Sequence, residues 1–246
     1  MSIFNFDPPI IAHRGASAYA PENTLSAFLK AAEMGAQWIE CDIMQSASGE
    51  LVIFHDEDLV RTTNGSGLLH ESSYAYLKTL DAGSWFHSSF SGERIPSLQN
   101  FLQFLSNTGL CANIEIKARL GDEERMIARL QKEIKNCLDK HHHRILFSSF
   151  SLKSLQFLHT YLPNAYIGVL IDQWEVDLDI NKLDKLFDCV SFHVNETILT
   201  KDKAKFIKEK GKILLAYTVN SKKRAEQLFS FGVDAIFTDQ PDILLG

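Results

Sequence analysis

Short apolar runs alternate with longer amphipathic stretches along the chain, and this alternation limits the possible folds more than any other feature. The runs predict buried strands, because they are short, rich in branched residues and bounded by polar or glycine-containing turns. Their bounds are Ile10–His13, Trp38–Met44, Leu51–His55, Cys111–Lys117, Ile145–Phe150, Tyr166–Ile171, Cys189–Val194, Ile213–Val219 and Ala235–Thr238. Helical patterns separate most of them, which predicts parallel strands with right-handed crossover helices.

The spacing from strand to strand, about 20–30 residues, persists to the C-terminus and favours a closed (β/α)₈ barrel, the TIM barrel. The length of 246 residues suits one such α/β domain spanning residues 1–246. An open doubly wound sheet is the alternative. Neither a GxGxxG nor a GxxxxGK[ST] loop follows the first run, which weakens the nucleotide-binding form of that alternative.

One segment, residues 56–96, interrupts the alternation. It is rich in glycine, serine, threonine and aromatic residues and has no strong period. We predict that it forms a small insertion after the second βα region, placed on the catalytic rim or folded as a subdomain.

Composition and charge exclude several classes of protein. Lys and Arg number 25 against 31 Asp and Glu, a net charge of −6, which argues against a nucleic-acid partner. No apolar run approaches the roughly 18 residues of a membrane span, so stable insertion into a membrane is not expected. The N-terminal residues resemble no secretory signal, and Cys41, Cys111, Cys137 and Cys189 form no CxxC pair. We expect a cytoplasmic protein with reduced cysteines.

Charged and imidazole side chains stand at the ends of four predicted strands, where buried strands are otherwise apolar. They are His13, Arg14, Glu40, Asp42, His55, Glu115 and Lys117. Glu40 and Asp42 are two residues apart, as are Glu115 and Lys117, so each pair points to one side of its strand. In a barrel the C-terminal strand ends meet at the active site, and we expect these side chains to meet there.

The chemistry of this set points to phosphodiester cleavage. Three carboxylates in one site repel each other unless a cation lies between them, and oxygen ligands favour Mg²⁺ or Ca²⁺. His13 and His55 are then free for proton transfer, and Arg14 and Lys117 suit phosphate oxygens. A single histidine or glutamate at a strand end is more often structural or solvated, so this interpretation depends on the whole set.

A series of short motifs also runs along nearly the whole chain. They are Ile11-Ala12-His13-Arg14-Gly15, Pro21-Glu22-Asn23-Thr24, Ile39-Glu40-Cys41-Asp42, His55-Asp56, Arg61-Thr62-Thr63-Asn64-Gly65, Asp81-Ala82-Gly83-Ser84-Trp85, Ile95-Pro96-Ser97-Leu98, Ile114-Glu115-Ile116-Lys117, Ser148-Ser149-Phe150, Tyr217-Thr218-Val219-Asn220 and Thr238-Asp239-Gln240-Pro241. Their order and spacing resemble the glycerophosphodiester phosphodiesterase family, in particular its short cytosolic bacterial members.

The resemblance implies a TIM barrel that hydrolyses a glycerophosphodiester to sn-glycerol 3-phosphate and an alcohol. It implies an acid/base pair, a set of three metal ligands and two phosphate-binding residues. These are His13 and His55, then Glu40, Asp42 and Glu115, then Arg14 and Lys117. Mg²⁺ or Ca²⁺ is the expected metal, and Mn²⁺ also suits the site. We assign His13 as base and His55 as acid, and the two exchange roles if a cyclic phosphate forms and is then hydrolysed.

The chain departs from the family pattern at the start of a late motif, where Tyr217 stands in place of the usual Trp. We expect Tyr217 to keep an aromatic wall in the substrate pocket and to add a hydroxyl. Phe86, with Trp85 and Phe90, is a second candidate for the pocket, as a wall for the leaving alcohol.

Two other functions are compatible with the same sequence. A lysophospholipase D-like activity on lysophospholipids would need an apolar acyl channel, for which Trp85, Phe86 and Phe90 are candidates. A metal- or phosphate-binding module without catalysis is the other, although every family position for the metal and the acid/base pair is filled. The head-group alcohol, the metal and the oligomeric state stay open at this level.

Overall fold

A computed structural model of the chain describes residues 3–141, 144–174 and 180–244. The strands in this part of the chain are β1 (Ile10–Ala12), β2 (Trp38–Gln45), β3 (Leu51–Ile53), β4 (Cys111–Ile116), β5 (Ile145–Ser149), β6 (Tyr166–Ile171), β7 (Ser191–Asn195), β8 (Ile213–Tyr217) and β9 (Ala235–Thr238). The helices are α1 (Leu25–Glu33), α2 (Tyr74–Leu77), α3 (Leu98–Thr108), α4 (Glu123–His141), α5 (Leu152–Tyr161), α6 (Ile180–Phe187), α7 (Lys201–Lys208) and α8 (Lys222–Ser230). Two 3₁₀ turns, Leu69–Glu71 and Ser88–Phe90, lie between β3 and α3.

Eight of the strands close into a parallel barrel. Their order is β1-β9-β8-β7-β6-β5-β4-β2, and β1 also pairs with β2, so the sheet has no open edge there. Helices lie between successive barrel strands from β4 onward. The predicted TIM barrel is confirmed, and the open doubly wound sheet is excluded by the β1–β2 pairing.

The third apolar run differs from the other eight. β3 pairs antiparallel with β2, with Ile53 opposite Ile43, so it is the return arm of a hairpin and not a barrel strand. Only residues 46–50 join the two strands, which is too short for a crossover but long enough for a hairpin. The prediction that the run at Leu51–His55 is one of the parallel strands is therefore wrong.

The segment at 56–96 follows this hairpin and precedes α3, so it lies inside the second βα unit and not after it. It has its own small apolar cluster, in which Leu59, Leu69 and Leu77 pack against Val52 and Phe54. The segment is thus anchored on the hairpin, at the end of the barrel where β2 terminates.

Two further cores hold the barrel together. Between the sheet and the surrounding helices lies a continuous cluster that includes Phe28, Phe101 and Phe147. Inside the barrel, Ile11, Leu146 and Leu215 pack with Trp38. This packing fixes the strand positions, and the charged side chains of the strands lie at their C-terminal ends. The buried polar residues within the barrel pair with one another, Asn113 with Ser148 and Ser191 with His193.

The structure also bears on two other expectations. Cys41, Cys111 and Cys189 are free thiols, and the side chain of Cys137 lies outside the described residues. Among the described helices, none has the length and hydropathy needed to cross a bilayer.

Candidate active site

Strand register brings the three acidic residues together. Asp42 of β2 stands directly opposite Glu115 of β4, and Glu40 stands opposite Asn113. One carboxylate oxygen from each of Glu40, Asp42 and Glu115 lies within 4.8 Å of the others. Because neighbouring parallel strands in register point the same way, this cluster is a direct consequence of the β2–β4 pairing.

Burial and mutual repulsion make the cluster costly when it is fully ionised. Glu40 and Asp42 are only 2% and 1% exposed. Burial and the charges of Asp42 and Glu115 raise the pKa of Glu40 well above its usual range. Burial and Asp42 likewise raise the pKa of Glu115 to about 7. A divalent cation would offset both effects, so the donor set fits a hard metal ion.

Arg14 and Lys117 partly neutralise the cluster from two sides. The Nε atom of Arg14 lies 3.5 Å from Asp42, and its Nη1 donates to Glu22 at 2.8 Å. The Nζ atom of Lys117 lies 3.3 Å from Glu115 and 3.7 Å from Asp42. Burial favours the neutral form of Asp42 and by itself would raise its pKa. The charges of Arg14 and Lys117 act in the opposite direction, and the pKa of Asp42 is lowered overall.

Backbone geometry at the end of β1 places Arg14 over the cluster. Arg14 has a φ of 54°, and its backbone N–H donates to Glu40 at 2.8 Å. Gly15 follows with a φ of 82°, and a Cβ there would lie 2.6 Å from the backbone carbon of Ala27. Only glycine allows this close approach to α1, so the turn after β1 has a steric requirement that the sequence meets.

Each of the two imidazoles is bonded to its own carboxylate. The Nδ1 atom of His13 lies 2.7 Å from Asp239, and that of His55 lies 2.6 Å from Asp56. His13 lowers the pKa of Asp239 to about 2 against the effect of burial, and Arg61 is the largest cause that lowers the pKa of Asp56 to about 2. An ionised carboxylate only accepts hydrogen bonds, so each Nδ1 donates and each Nε2 is left for a reacting group.

A chain of ion pairs ties the His55 side of the site to Arg14. Arg61 makes two hydrogen bonds to Asp56, at 2.5 and 3.0 Å, and two to Glu22, at 2.7 and 2.8 Å. Glu22 in turn accepts from Arg14. Such bidentate pairs fix the orientation of both planes, so Asp56 and Arg14 are held in place together.

Asn23 contacts the acidic cluster directly. Its Nδ2 donates to the Asp42 carboxylate at 2.8 Å, and its backbone adopts a φ of 57°. Thr24, not Asn23, caps α1, because its Oγ1 accepts from the N–H of Ala27. Because Thr24 provides the cap, the side-chain amide of Asn23 is available to orient Asp42.

These residues surround a cavity of about 310 Å³ at the C-terminal end of the barrel. Its lining includes His13, Arg14, Glu40, His55, Asn113, Glu115, Lys117, Phe150, Leu170, Asn195, Tyr217, Thr218 and Phe237. Asp42 is not among these lining residues but belongs to the same acidic cluster as Glu40 and Glu115. The hydroxyl of Tyr217 is buried and makes no hydrogen bond with the described residues. Burial raises its pKa, so it is a neutral donor.

Phe86 is not among the residues that line this cavity. Its ring packs inside the insertion, with centroids 5.6 Å from Trp85 and 5.7 Å from Phe90. The structure thus brings Tyr217 to the site together with the seven charged and imidazole residues. Phe86 does not line the cavity and packs against Trp85 and Phe90 instead.

Sequence reasoning gave no role to Asp239, Asp56 or Arg61, although all three lie in the short motifs of the sequence. It predicted Asn23 only as scaffolding at the start of a helix. Asp239 is 226 residues from His13, so only barrel closure brings the pair together. The sequence could have indicated Asp239 as a site residue. It directly follows β9, and carboxylates at the C-terminal ends of barrel strands are candidates for the active site.

The chain matches the Glycerophosphoryl diester phosphodiesterase family over residues 13–243. It is 35% identical over 245 residues to a glycerophosphodiester phosphodiesterase of Caldanaerobacter subterraneus, with 96% of each chain covered. It is 36% identical over 245 residues to the Bacillus subtilis protein YhdW, again with 96% of each chain covered. The structure of an Oleispira antarctica phosphodiesterase in complex with the product sn-glycerol-3-phosphate has a TM-score of 0.89 and 35% identity, covering 97% of this chain and 96% of that one. The chain belongs to the glycerophosphoryl diester phosphodiesterase family and is a phosphoric diester hydrolase.

Proposed function

We propose that this enzyme hydrolyses deacylated phospholipid diesters, such as glycerophosphocholine or glycerophosphoethanolamine, to sn-glycerol 3-phosphate and the head-group alcohol. One observation supports this most strongly. Two imidazoles, two cations and two carboxylates line one 310 Å³ cavity, and the third carboxylate, Asp42, belongs to the same acidic cluster. The sn-glycerol-3-phosphate bound to the Oleispira antarctica enzyme is consistent with this product.

A divalent cation, Mg²⁺, Ca²⁺ or Mn²⁺, would be held by Glu40, Asp42 and Glu115. The three oxygens within 4.8 Å of one another suit a hard cation, and the buried carboxylates gain the counter-charge that they lack. When bound, the ion supplies Lewis-acid stabilisation of charge on the phosphoryl oxygens. Asn23 keeps the Asp42 carboxylate in a fixed orientation through its 2.8 Å hydrogen bond.

His13 is proposed as the general base and His55 as the general acid. Both imidazoles line the cavity, and because Nδ1 donates to Asp239 or Asp56, Nε2 is the ring atom left for proton transfer. His13 removes a proton from the attacking hydroxyl, and His55 donates a proton to the departing alkoxide oxygen. The roles exchange for the second step if the glycerol 2-hydroxyl attacks first and gives a cyclic phosphate.

Arg14 and Lys117 are proposed to bind the non-bridging phosphate oxygens. Both line the cavity beside the acidic cluster, and each carries several N–H donors suited to phosphate oxygens. Tyr217 is proposed to donate a hydrogen bond to a glycerol hydroxyl, because Tyr217 lines this cavity and its buried hydroxyl makes no hydrogen bond with the described residues. Burial of an unpaired hydroxyl is costly, and a bound glycerol would remove the cost.

The lysophospholipase D-like alternative gains no support from the insertion. The aromatic rings that were candidates for an acyl channel, Trp85, Phe86 and Phe90, pack on one another and do not line the cavity. The glycerophosphodiester assignment is therefore preferred for the same catalytic groups.

An activity panel tests this proposal. Purified protein is incubated with glycerophosphocholine, glycerophosphoethanolamine and lysophosphatidylcholine, each with Mg²⁺, Ca²⁺ or Mn²⁺, and glycerol 3-phosphate and free choline are measured. We expect glycerol 3-phosphate from the first two substrates and no choline from the third. Choline release from lysophosphatidylcholine alone would favour the lysophospholipase D-like function.

A further inference from the structure

We propose that a second cleft, outside the barrel mouth, is the binding site for the alcohol arm of the diester, which departs as the leaving group. This inference rests on the proposed function and adds a subsite to it. The cleft has a volume of about 470 Å³ and is bordered by the insertion, the β2–β3 hairpin and the loop from β4 to α4. We call it the outer cleft.

The outer cleft and the inner cavity meet at the catalytic groups. Four residues line both spaces: His55, Glu115, Lys117 and Phe150. His13 and Tyr217 line only the inner cavity. A phosphate held by Lys117 and faced by His55 therefore lies at the boundary between the two spaces.

A phosphodiester has two organic arms, which leave the phosphorus in different directions. The inner cavity, at about 310 Å³, is lined by Tyr217, whose hydroxyl makes no hydrogen bond with the part of the chain that the structure describes, and it suits the polyhydroxyl glycerol arm. The other arm then points past His55 into the outer cleft. This placement agrees with an in-line displacement, in which the nucleophile approaches from the His13 side and the leaving oxygen lies next to His55.

The lining of the outer cleft indicates which arms it accepts. Leu68, Ala118 and Met126 contribute apolar surface. The charged part of the lining includes Glu57, Glu71 and Asp122 as well as Arg119 and Arg125. Because charges of both signs are present, we expect selection by size and shape more than by charge. The arm that fits is a bulky alcohol, and a small arm would leave most of the cleft unused.

Filling the cleft tests this inference. Leu68→Trp places an indole in the outer cleft, at a residue of the insertion that carries no catalytic group. Val60→Trp is the matched control, because Val60 lies in the same insertion, is 63% exposed and does not line the cleft. Steady-state kinetics are measured with glycerophosphoinositol, which has a bulky arm, and with the methyl ester of glycerol 3-phosphate, which has a minimal one.

We expect Leu68→Trp to lower kcat/KM for glycerophosphoinositol by about tenfold or more, a difference of about 1.4 kcal/mol. The methyl ester should change less than about twofold, and Val60→Trp should leave both unchanged. Thermal unfolding checks that each variant is folded. Should Leu68→Trp fail to fold, His70→Trp fills the same cleft from a neighbouring position and is expected to give the same separation.

Two outcomes would overturn the inference. One is an equal loss for both substrates in a folded variant, which would place the glycerol arm in the cleft or make the effect structural. The other is no loss for either substrate. A wild-type enzyme that turns over neither substrate would count against the proposed function instead, so the two failures are distinguishable.

Discussion

The hydrogen bonds of Asp56 and Asp239 decide what the two imidazoles can do. Each carboxylate has a pKa lowered to about 2, so it stays ionised and holds one Nδ1–H. Arg61 orients Asp56, whereas Ser17 and Asn220 orient Asp239. The two imidazoles thus have the same tautomer, with Nε2 left for a reacting group, although different side chains support them.

Removing either imidazole should abolish most of the activity. We expect His13→Gln and His55→Gln each to lower kcat by about 10²–10⁴-fold, the usual contribution of general acid–base catalysis. Glutamine keeps polarity and approximate length, so the fold should persist in thermal unfolding. His87→Gln, on an exposed turn of the insertion, is the control. An active His13→Gln/His55→Gln double variant would reject the acid/base assignment.

Replacing the carboxylate that supports His13 should reduce turnover without removing a catalytic group. Asp239→Asn keeps the size but loses the charge that fixes Nδ1–H, and we expect kcat to fall by at least about tenfold, with a smaller change in KM. Asp242→Asn, three residues further on and exposed, should behave like wild type. A change confined to KM would show that Asp239 acts on substrate binding instead.

His193 gives a prediction about stability that is independent of catalysis. It is fully buried inside the barrel, where its Nε2 lies 2.9 Å from Ser191 Oγ and its ring packs against Phe237. Burial lowers its pKa to about 3. Below about pH 6.5 the unfolded chain therefore binds a proton at His193 that the folded chain does not bind. The free energy of unfolding falls as the pH decreases from about 6.5 towards 3.

The measurement compares urea unfolding of the wild type and of His193→Asn between pH 7 and pH 5. The wild type should lose about 2 kcal/mol more than the variant over this range, whatever their difference at pH 7. If the free energy of unfolding changed equally with pH in the wild type and in His193→Asn, the assignment of His193 as a neutral, buried imidazole would be contradicted.

At the scale of elements, the β2–β3 hairpin shows where the sequence was not sufficient. The run at Leu51–His55 is as apolar as a barrel strand, because β3 is buried on the hairpin by the insertion. Apolar content reports burial and not strand direction, so the antiparallel pairing was not visible in it. His55 was still expected at the site, and the hairpin brings it there, since Phe54 N–H bonds to the carbonyl of Asp42.

The insertion depends on one carboxylate for its local order. Asp81 accepts hydrogen bonds from the backbone N–H groups of Gly83, Ser84 and Gly92, and these bonds lower its pKa. Asp81→Ala removes all three, and we expect several-fold faster limited proteolysis between residues 83 and 92. Ser84→Ala, which loses only one side-chain bond to Asp81, is the control. Equal cleavage rates in Asp81→Ala and wild type would contradict this role.

At the scale of the whole molecule, the sequence predicts the succession of strands and helices better than it predicts contacts between distant side chains. The alternation of apolar runs and helical patterns predicts roughly eight crossover-linked strands, but it also counts the antiparallel β3 among them. The residues two apart in β2 and β4 predict the acidic cluster that register produces. The Asp239–His13 and Arg61–Glu22 pairs join distant segments. Neither periodicity nor composition contains that information, because it arises only when the barrel closes.

A barrel with three repelling carboxylates should gain stability from a divalent cation. We expect the midpoint of thermal unfolding of EDTA-treated protein to rise when Mg²⁺ or Ca²⁺ is added, by the equivalent of about 2.7 kcal/mol at a hundred times Kd. Glu115→Gln should weaken this response, because it removes one ligand. Glu124→Gln, outside the cluster, should not. A midpoint that does not respond to any divalent cation would argue against a metal at Glu40, Asp42 and Glu115.

The most direct test of the central claim is metal-dependent release of sn-glycerol 3-phosphate from glycerophosphocholine by the purified wild-type enzyme. Product is measured with Mg²⁺, Ca²⁺ or Mn²⁺, after addition of EDTA, and after the metal is restored. The arrangement of His13, His55 and the acidic cluster predicts release with at least one metal, loss with EDTA and recovery on restoration. No release with any of the three metals, or release that EDTA leaves unchanged, would contradict it.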